Sequence, residues 1–313
     1  MWPFSSNVEF VPDKNIEDLT GKVILVTGGN TGIGKETILQ LAKHRPRKLF
    51  LAARTQSKAQ DAIAEIRSAI SPKTVDIEYL QLDLSSLASV KAAAERVKER
   101  SARLDILILN AGIMAVPPGK TSEGFEIQVG TNHVGHALLT KLLLPTLEKT
   151  AAEQNPDVRI VVVASNGYTF APTIDTILST EKLCETGPWT RYGASKAANI
   201  LFAAELARRY PSLTSVSLHP GAIQTDLYLP NKRTSFVLRW FMAIFGNLLF
   251  HSPQFGALTQ LYLASGAKKE QLRNGGFYTP VGVLNNNNKW ANEKTWGKAL
   301  WEWTEDQLES KGY

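Results

Sequence analysis

Lys22-Val-Ile-Leu-Val-Thr27-Gly28-Gly-Asn-Thr-Gly32-Ile-Gly34 is the stretch on which the fold turns. Its first six residues form a short apolar run of the kind that makes a buried parallel strand. A glycine-rich turn follows, containing Asn30, Thr31 and Ile33, and Lys35 to Ala42 then continues with helical periodicity. Strand, glycine turn and helix together open a dinucleotide-binding βαβ unit. In that unit Gly28 permits the tight turn, Gly32 lets the backbone approach a pyrophosphate, and Gly34 lets the helix pack on the strand. The helix N-terminus offers free N–H groups and partial positive charge to phosphates.

Outward from this unit the chain alternates apolar strand runs with helical segments, the pattern of a parallel sheet. Strands are expected at about 22–27, 48–53, 76–82, 104–109, 159–164, 214–219 and 276–279, with a long helix over 190–209. The predicted fold class is α/β: a doubly wound parallel β-sheet of Rossmann type, with helices on both faces. One domain is expected over 1–313. It divides into a cofactor-binding half (18–112), a catalytic half (113–283) and a C-terminal tail (284–313). Trp296, Leu300 and Trp303 fall on one helix face in the tail and read as core packing.

Tyr192-Gly-Ala-Ser-Lys196 places a phenol and an ammonium at i and i+4, on one helical face. A nearby positive charge favours the phenolate over the phenol, whose free pKa is about 10. Tyr192 is thereby suited to move a proton to or from a substrate oxygen.

These motifs together resemble the short-chain dehydrogenase/reductase superfamily over residues 18 to 283. T-G-x-x-x-G-x-G is matched by Thr27, Gly28, Gly32 and Gly34. The adenine-side aspartate looks like Asp83, beside Leu84, and the N-A-G turn is Asn110-Ala111-Gly112 after the run Leu104–Leu109. The helical asparagine looks like Asn132, the serine like Ser165 at the end of the run Arg159–Ala164, and the P-G segment is Pro220-Gly221, followed by Ile223 and Thr225. Asn132-His-Val-Gly-His136, His219-Pro-Gly221 and Ser252-Pro-Gln-Phe-Gly-Ala257 look most like the branch with retinol dehydrogenases and light-dependent protochlorophyllide reductases. One departure is Ala164, where relatives usually carry a first serine ahead of the one matched by Ser165. Another is the long gap from Ser165 to Tyr192, which requires an excursion over 166–191.

The resemblance implies a catalytic set of Ser165, Tyr192, Lys196 and Asn132. Ser165 would polarise the reacting oxygen, Lys196 would also bind the nicotinamide ribose, and Asn132 would hold a relay water. Cofactor contacts are implied at the glycine turn from Thr27 to Gly34, at Asp83, Leu84, Asn110, Ala111 and Gly112, at Tyr192 and Lys196, and at Pro220, Gly221, Ile223 and Thr225. The choice of nucleotide turns on the end of the second strand, Leu49-Phe-Leu-Ala-Ala-Arg54. An acid there would accept from a ribose 2′-hydroxyl and repel a 2′-phosphate. Arg54 can instead pair with phosphate oxygens in bidentate fashion, with Lys58 one turn on, so NADP(H) is expected over NAD(H).

Composition is ordinary for a soluble globular protein: 313 residues, 43% hydrophobic and 20% charged. A net charge of +6, scattered without a basic stripe, argues against nucleic acid and suits an anionic cofactor. The single cysteine, Cys184, forms no intramolecular disulfide and fits a reducing compartment. Nothing in Met1–Asn7 reads as a secretory signal, and no apolar run reaches the roughly 20 residues that span a bilayer. A cytoplasmic protein is expected, as monomer or homodimer, with or without attachment to a membrane surface. His133 and His136 lack acidic or cysteine partners at ligand spacing, so no metal is expected and both read as packing or surface residues.

Residues 236–250 are strongly apolar, preceded by Lys232 and Arg233 and interrupted by Arg239. An apolar lid over 228–252, with Phe241 and Phe245 facing the substrate, is one reading; a membrane-surface or oligomer contact is the other. The expected activity is hydride transfer between NADP(H) and a lipophilic alcohol, aldehyde or ketone. The alternatives are a non-catalytic nucleotide-sensing or scaffold protein, and an enone reductase or epimerase, on the same fold.

Overall fold

The computed structural model describes residues 8–71, 75–153, 156–223 and 251–313. Thr225, the basic residues Lys232, Arg233 and Arg239, and Phe241 and Phe245 lie outside them. Of the expected lid, only His251 and Ser252 are described.

Eight strands form a single sheet: β1 (Val23–Thr27), β2 (Lys48–Ala53), β3 (Ile77–Gln81), β4 (Ile106–Leu109), β5 (Arg159–Val163), β6 (Thr214–Leu218), β7 (Phe277–Thr279) and β8 (Val283–Leu284). Their spatial order is β3-β2-β1-β4-β5-β6-β7-β8. Every neighbouring pair is parallel except β7 with β8. The expected strands are all present, with ends moved by no more than two residues. β8 is an addition, too short for any periodicity to announce.

Among the described residues, helices of nine residues or more are α1 (Gly32–Ala42), α2 (Gln56–Ala69), α3 (Leu87–Arg100), α4 (Gly135–Ala151), α5 (Pro188–Arg209), α6 (Pro253–Leu261) and α7 (Lys294–Glu309). The long helix starts two residues earlier than its periodicity suggests. Pro188 takes the first position after Gly187, where a missing N–H costs nothing.

Strand residues alternate between two cores. Val23, Leu25, Phe50, Leu107 and Leu109 face the layer containing α3, α4, α5 and α7. Ile24, Val26, Leu49, Leu51, Ile106 and Ile108 face the layer of α1, α2 and α6. Because both faces are covered, the strands read as unbroken apolar runs. Leu300 and Leu308 of α7 are buried in the first core, and Trp296 and Trp303 pack against it, so the tail belongs to the domain. No helix among the described residues is long and apolar enough to cross a membrane.

Candidate active site

The strand order reverses between β1 and β4, whose successor chains depart in opposite directions. In an open parallel sheet this switch point leaves a crevice at the carboxyl ends of the strands. The cleft here has a volume of about 410 Å³, within the range of roughly 300–1,000 Å³ typical of small-molecule sites.

One end of the cleft is mostly backbone. Gly28 and Gly32 have φ of +67° and +53°, a region open to glycine at little cost. A Cβ on Gly34 would press into the Gly28 carbonyl oxygen and the Asn110 amide, so glycine lets α1 seat on the turn. With Asn30, Thr31 and Ile33, these residues line the cleft. No acid stands in the first turn of α1 to neutralise its N-terminus. Arg54 and Lys58 also line the cleft, and both are exposed. Asp83 and Leu84 form the neighbouring wall, with Asp83 Oδ1 held by the Ser85 amide (2.9 Å) and hydroxyl (2.6 Å).

Thr27 stands behind this wall. It is fully buried, and its hydroxyl oxygen accepts from the Asn110 amide (2.9 Å) and the Ala111 amide (3.0 Å). The Asn110 side chain returns a bond to the Thr27 carbonyl (2.9 Å). Thr27 thus fastens the turn after β4 to the end of β1, while Asn110, Ala111 and Gly112 line the cleft. The residue fits the expected motif, but its hydroxyl faces protein.

The other end carries the titratable groups. Tyr192, Lys196 and Ser165 all line the cleft, as do Pro220, Gly221 and Ile223. Lys196 Nζ lies 5.7 Å from the centre of the Tyr192 ring and donates to the Val163 carbonyl (3.1 Å). Burial holds the Lys196 ammonium down, at about 8. His219, at the end of β6, is lowered to about 4 by burial and then by the Lys196 charge. Ser165 Oγ accepts from the Gly167 amide (3.0 Å), starting a short 3₁₀ turn over Asn166–Phe170. That turn begins the excursion that the long gap required.

Two glycines of this region carried no sequence signal. A Cβ on Gly167 would overlap the Tyr192 ring, and one on Gly193 would overlap the backbone of 167–171. Their absence of side chains lets the turn after Ser165 close against the start of α5. Their requirement arises from a tertiary approach, so no local pattern marks them.

Asn132, expected at the catalytic centre, is fully buried behind the lining. Its side chain accepts from the Ile113 amide (2.8 Å) and donates to the Ile113 carbonyl (2.9 Å) and Ser195 Oγ (2.9 Å). It lies in a π-helical turn, Gly130–Val134, that leads into α4. Such insertions are frequent at functional sites. Gly135 beyond it lets the helix press on the Leu84 carbonyl, where a Cβ would not fit. His133 and His136 are buried in the core, which removes the surface reading and leaves the packing one. Among the described residues no cluster of His, Cys, Asp or Glu could hold a metal ion.

A profile of the short chain dehydrogenase family matches residues 22–234. The chain is 36% identical over 308 residues to the short-chain dehydrogenase/reductase drtF of Aspergillus calidoustus, covering 95% of this chain and 96% of that one. It is 40% identical over 248 residues to retinol dehydrogenase 11 of Homo sapiens, covering 79% and 73%. Among solved structures, an uncharacterised protein from Mycobacterium paratuberculosis aligns with a TM-score of 0.72 at 28% identity, over 96% of this chain and 98% of that one.

Proposed function

The chain belongs to the short-chain dehydrogenase/reductase family, in its retinol dehydrogenase-like branch, and is an oxidoreductase acting on carbonyl or alcohol groups; from that premise we propose that it interconverts a lipophilic alcohol and its aldehyde or ketone with NADP(H). The observation that carries this reading is the continuity of one cleft. The α1 N-terminus, Arg54 and Lys58 line one end of it, and Ser165, Tyr192 and Lys196 line the other.

The residues present fit a dinucleotide. A glycine cradle faces a helix N-terminus, which suits a pyrophosphate. Arg54 stands where an acid would repel a 2′-phosphate, and its guanidinium matches phosphate geometry. When bound, the nicotinamide supplies or accepts the hydride. The protein positions the groups and moves the proton. Tyr192 gives a proton to the carbonyl oxygen in reduction, or takes one from the alcohol in oxidation. Ser165 donates a hydrogen bond to that same oxygen and stabilises its developing charge. The Lys196 ammonium, beside the ring, favours the phenolate that remains after donation. Asn132 fixes the Ile113 backbone and the start of α5, keeping those groups in place.

An apolar substrate is supported by the surface beside Tyr192. Trp189 meets the Tyr192 ring at 6.2 Å between centroids, and Phe170 meets Trp189 at 6.2 Å. Both outer rings are exposed, at 48% and 57%. Exposed aromatic rings adjoining a cleft provide area for an apolar ligand. The test is NADPH oxidation across a series of aldehydes, ketones and enones of increasing chain length. Turnover that rises with apolar length on simple carbonyls supports the reading; turnover restricted to enones, or none, contradicts it.

A further inference from the structure

Buried behind the cleft, His136 touches the supports of both of its ends. Its Nε2 lies 2.9 Å from Thr27 Oγ1, and its Nδ1 lies 3.0 Å from the Asn132 carbonyl oxygen. A hydroxyl oxygen has two acceptor positions and one proton to give. Both acceptor positions of Thr27 are taken, by the amides of Asn110 and Ala111. Its proton therefore goes out, and Nε2 at 2.9 Å is a closer acceptor than the Ile108 carbonyl at 3.4 Å. So Nε2 is bare. A carbonyl oxygen can only accept, so the independent contact at Asn132 requires the proton on Nδ1. Both ends assign the same tautomer, and a second ring proton would point at an oxygen with no lone pair left.

His133, three residues earlier, is set the other way. Thr304 gives its hydroxyl proton to the Leu300 carbonyl (2.7 Å), so His133 Nε2, 3.0 Å away, must donate to it. Burial lowers both rings, His136 to about 4 and His133 to about 3, with Lys196 adding to the effect on His136 and His136 to that on His133.

We propose that His136, fixed as the neutral Nδ1–H tautomer, is a positioning residue that ties the turns after β1 and β4 to the Asn132 backbone. The chain of bonds continues from Asn132 Nδ2 to Ser195 Oγ, and from Ser195 Oγ to the Tyr192 carbonyl (2.8 Å). The nucleotide turn and the Tyr192 backbone are thereby held in one network. This assignment of a role rests on the proposed function; the tautomer does not.

The first experiment is ¹⁵N NMR of the full chain labelled at histidine, with His136→Gln and His133→Gln used to assign the two rings. The expected result is His136 in the Nδ1–H form and His133 in the Nε2–H form. An Nε2–H or tautomer-averaged signal for His136 overturns the proposal, whatever the enzyme turns over. The second experiment measures kcat at saturating substrate and the NADPH Kd for His136→Leu and His136→Asn. The Asn amide nitrogen can take the place of Nδ1 and donate to the Asn132 carbonyl. His136→Leu should lose about 10-fold in kcat per folded molecule, since small misplacements at a reacting centre cost factors of this order, and weaken NADPH as well. His136→Asn should recover most of kcat. A folded His136→Leu with wild-type kcat and Kd overturns the positioning role, and if that variant does not fold, the tautomer measurement still decides.

Discussion

The two ends of the cleft are built from different materials. At the end proposed to hold the nucleotide, the lining is glycine backbone, a helix terminus and the exposed side chains of Arg54 and Lys58. At the end proposed to transfer the proton, it is polar groups taken largely out of water: Lys196, Tyr192, the mostly enclosed His219 and, behind them, Asn132, His133 and His136. Exposed groups carry little folding energy and can be exchanged freely. Buried polar groups are costly unless paired, so their positions are tied to the stability of the whole domain. Nucleotide preference should therefore be separable from stability, and proton transfer should not.

The largest effect should come from Tyr192→Phe, which keeps the ring and removes the proton. Turnover should fall at least ~10²-fold, while NADPH affinity measured by fluorescence titration stays within about threefold. Near wild-type turnover would break the assignment of roles at that end.

Arg54→Asp should act at the other end alone. The ratio of kcat/KM for NADPH to that for NADH should drop by at least ~10-fold, since a phosphate partner becomes a repelling carboxylate. The melting temperature should stay within about 1 °C, because surface changes usually alter stability by less than ~0.5 kcal/mol. A large loss of Tm would erase the contrast between the ends.

Lys196→Met sharpens the contrast from the buried side. The ammonium is fully buried and held at about 8, so its removal relieves a desolvation cost. Calorimetry of the cofactor-free variant should show a Tm raised by a few degrees, about 2–4 °C per kcal/mol at this size, with activity lost. A lowered Tm would mean that its bond to the Val163 carbonyl outweighs that cost.

The last effect concerns acid. His133, His136 and His219 titrate at about 3, 4 and 4 in the folded chain, all below the ordinary 6.5. The unfolded chain then binds more protons on these histidines below about pH 6.5, so their contribution to stability is nearly full above that pH and declines as the pH falls toward 4. Tm should change little from pH 8 to 7, where of these buried groups only Lys196 titrates in the folded chain, and fall steadily from 6.5 to 5, above most carboxylate titrations. A flat Tm across that range would contradict the burial of three neutral imidazoles.

How much of this was legible follows from the same division. The strand-turn-helix unit at the proposed nucleotide end was plain in the chain because its parts are local: Val23 to Ala42 already contains strand, glycine turn and helix. Tyr192 and Lys196 were legible for the same reason, sharing one helical face. The supports of the catalytic end are not local. Thr27 and His136 are 109 residues apart, and His133 and Thr304 are 171 apart. No periodicity or spacing encodes such pairings, which is why the histidines read as packing or surface residues. Nor did the motif reveal that the Thr27 hydroxyl and the Asn132 side chain serve neighbouring backbone. The π turn at Gly130–Val134 was silent too, since Gly130 within it and Gly135 just after it answer to Thr121 and Leu84, brought there by folding.

The central claim is that the two ends act on one substrate, with hydride delivered at the end where Tyr192 stands. It is tested most directly by supplying NADPH deuterated at C4, as each of the two stereoisomers, with an apolar aldehyde, and reading the alcohol product by mass spectrometry. The account predicts deuterium on the carbinol carbon from one stereoisomer only, and loss of that product in Tyr192→Phe. NADPH bound with normal affinity but no deuterium passed to any carbonyl would contradict it.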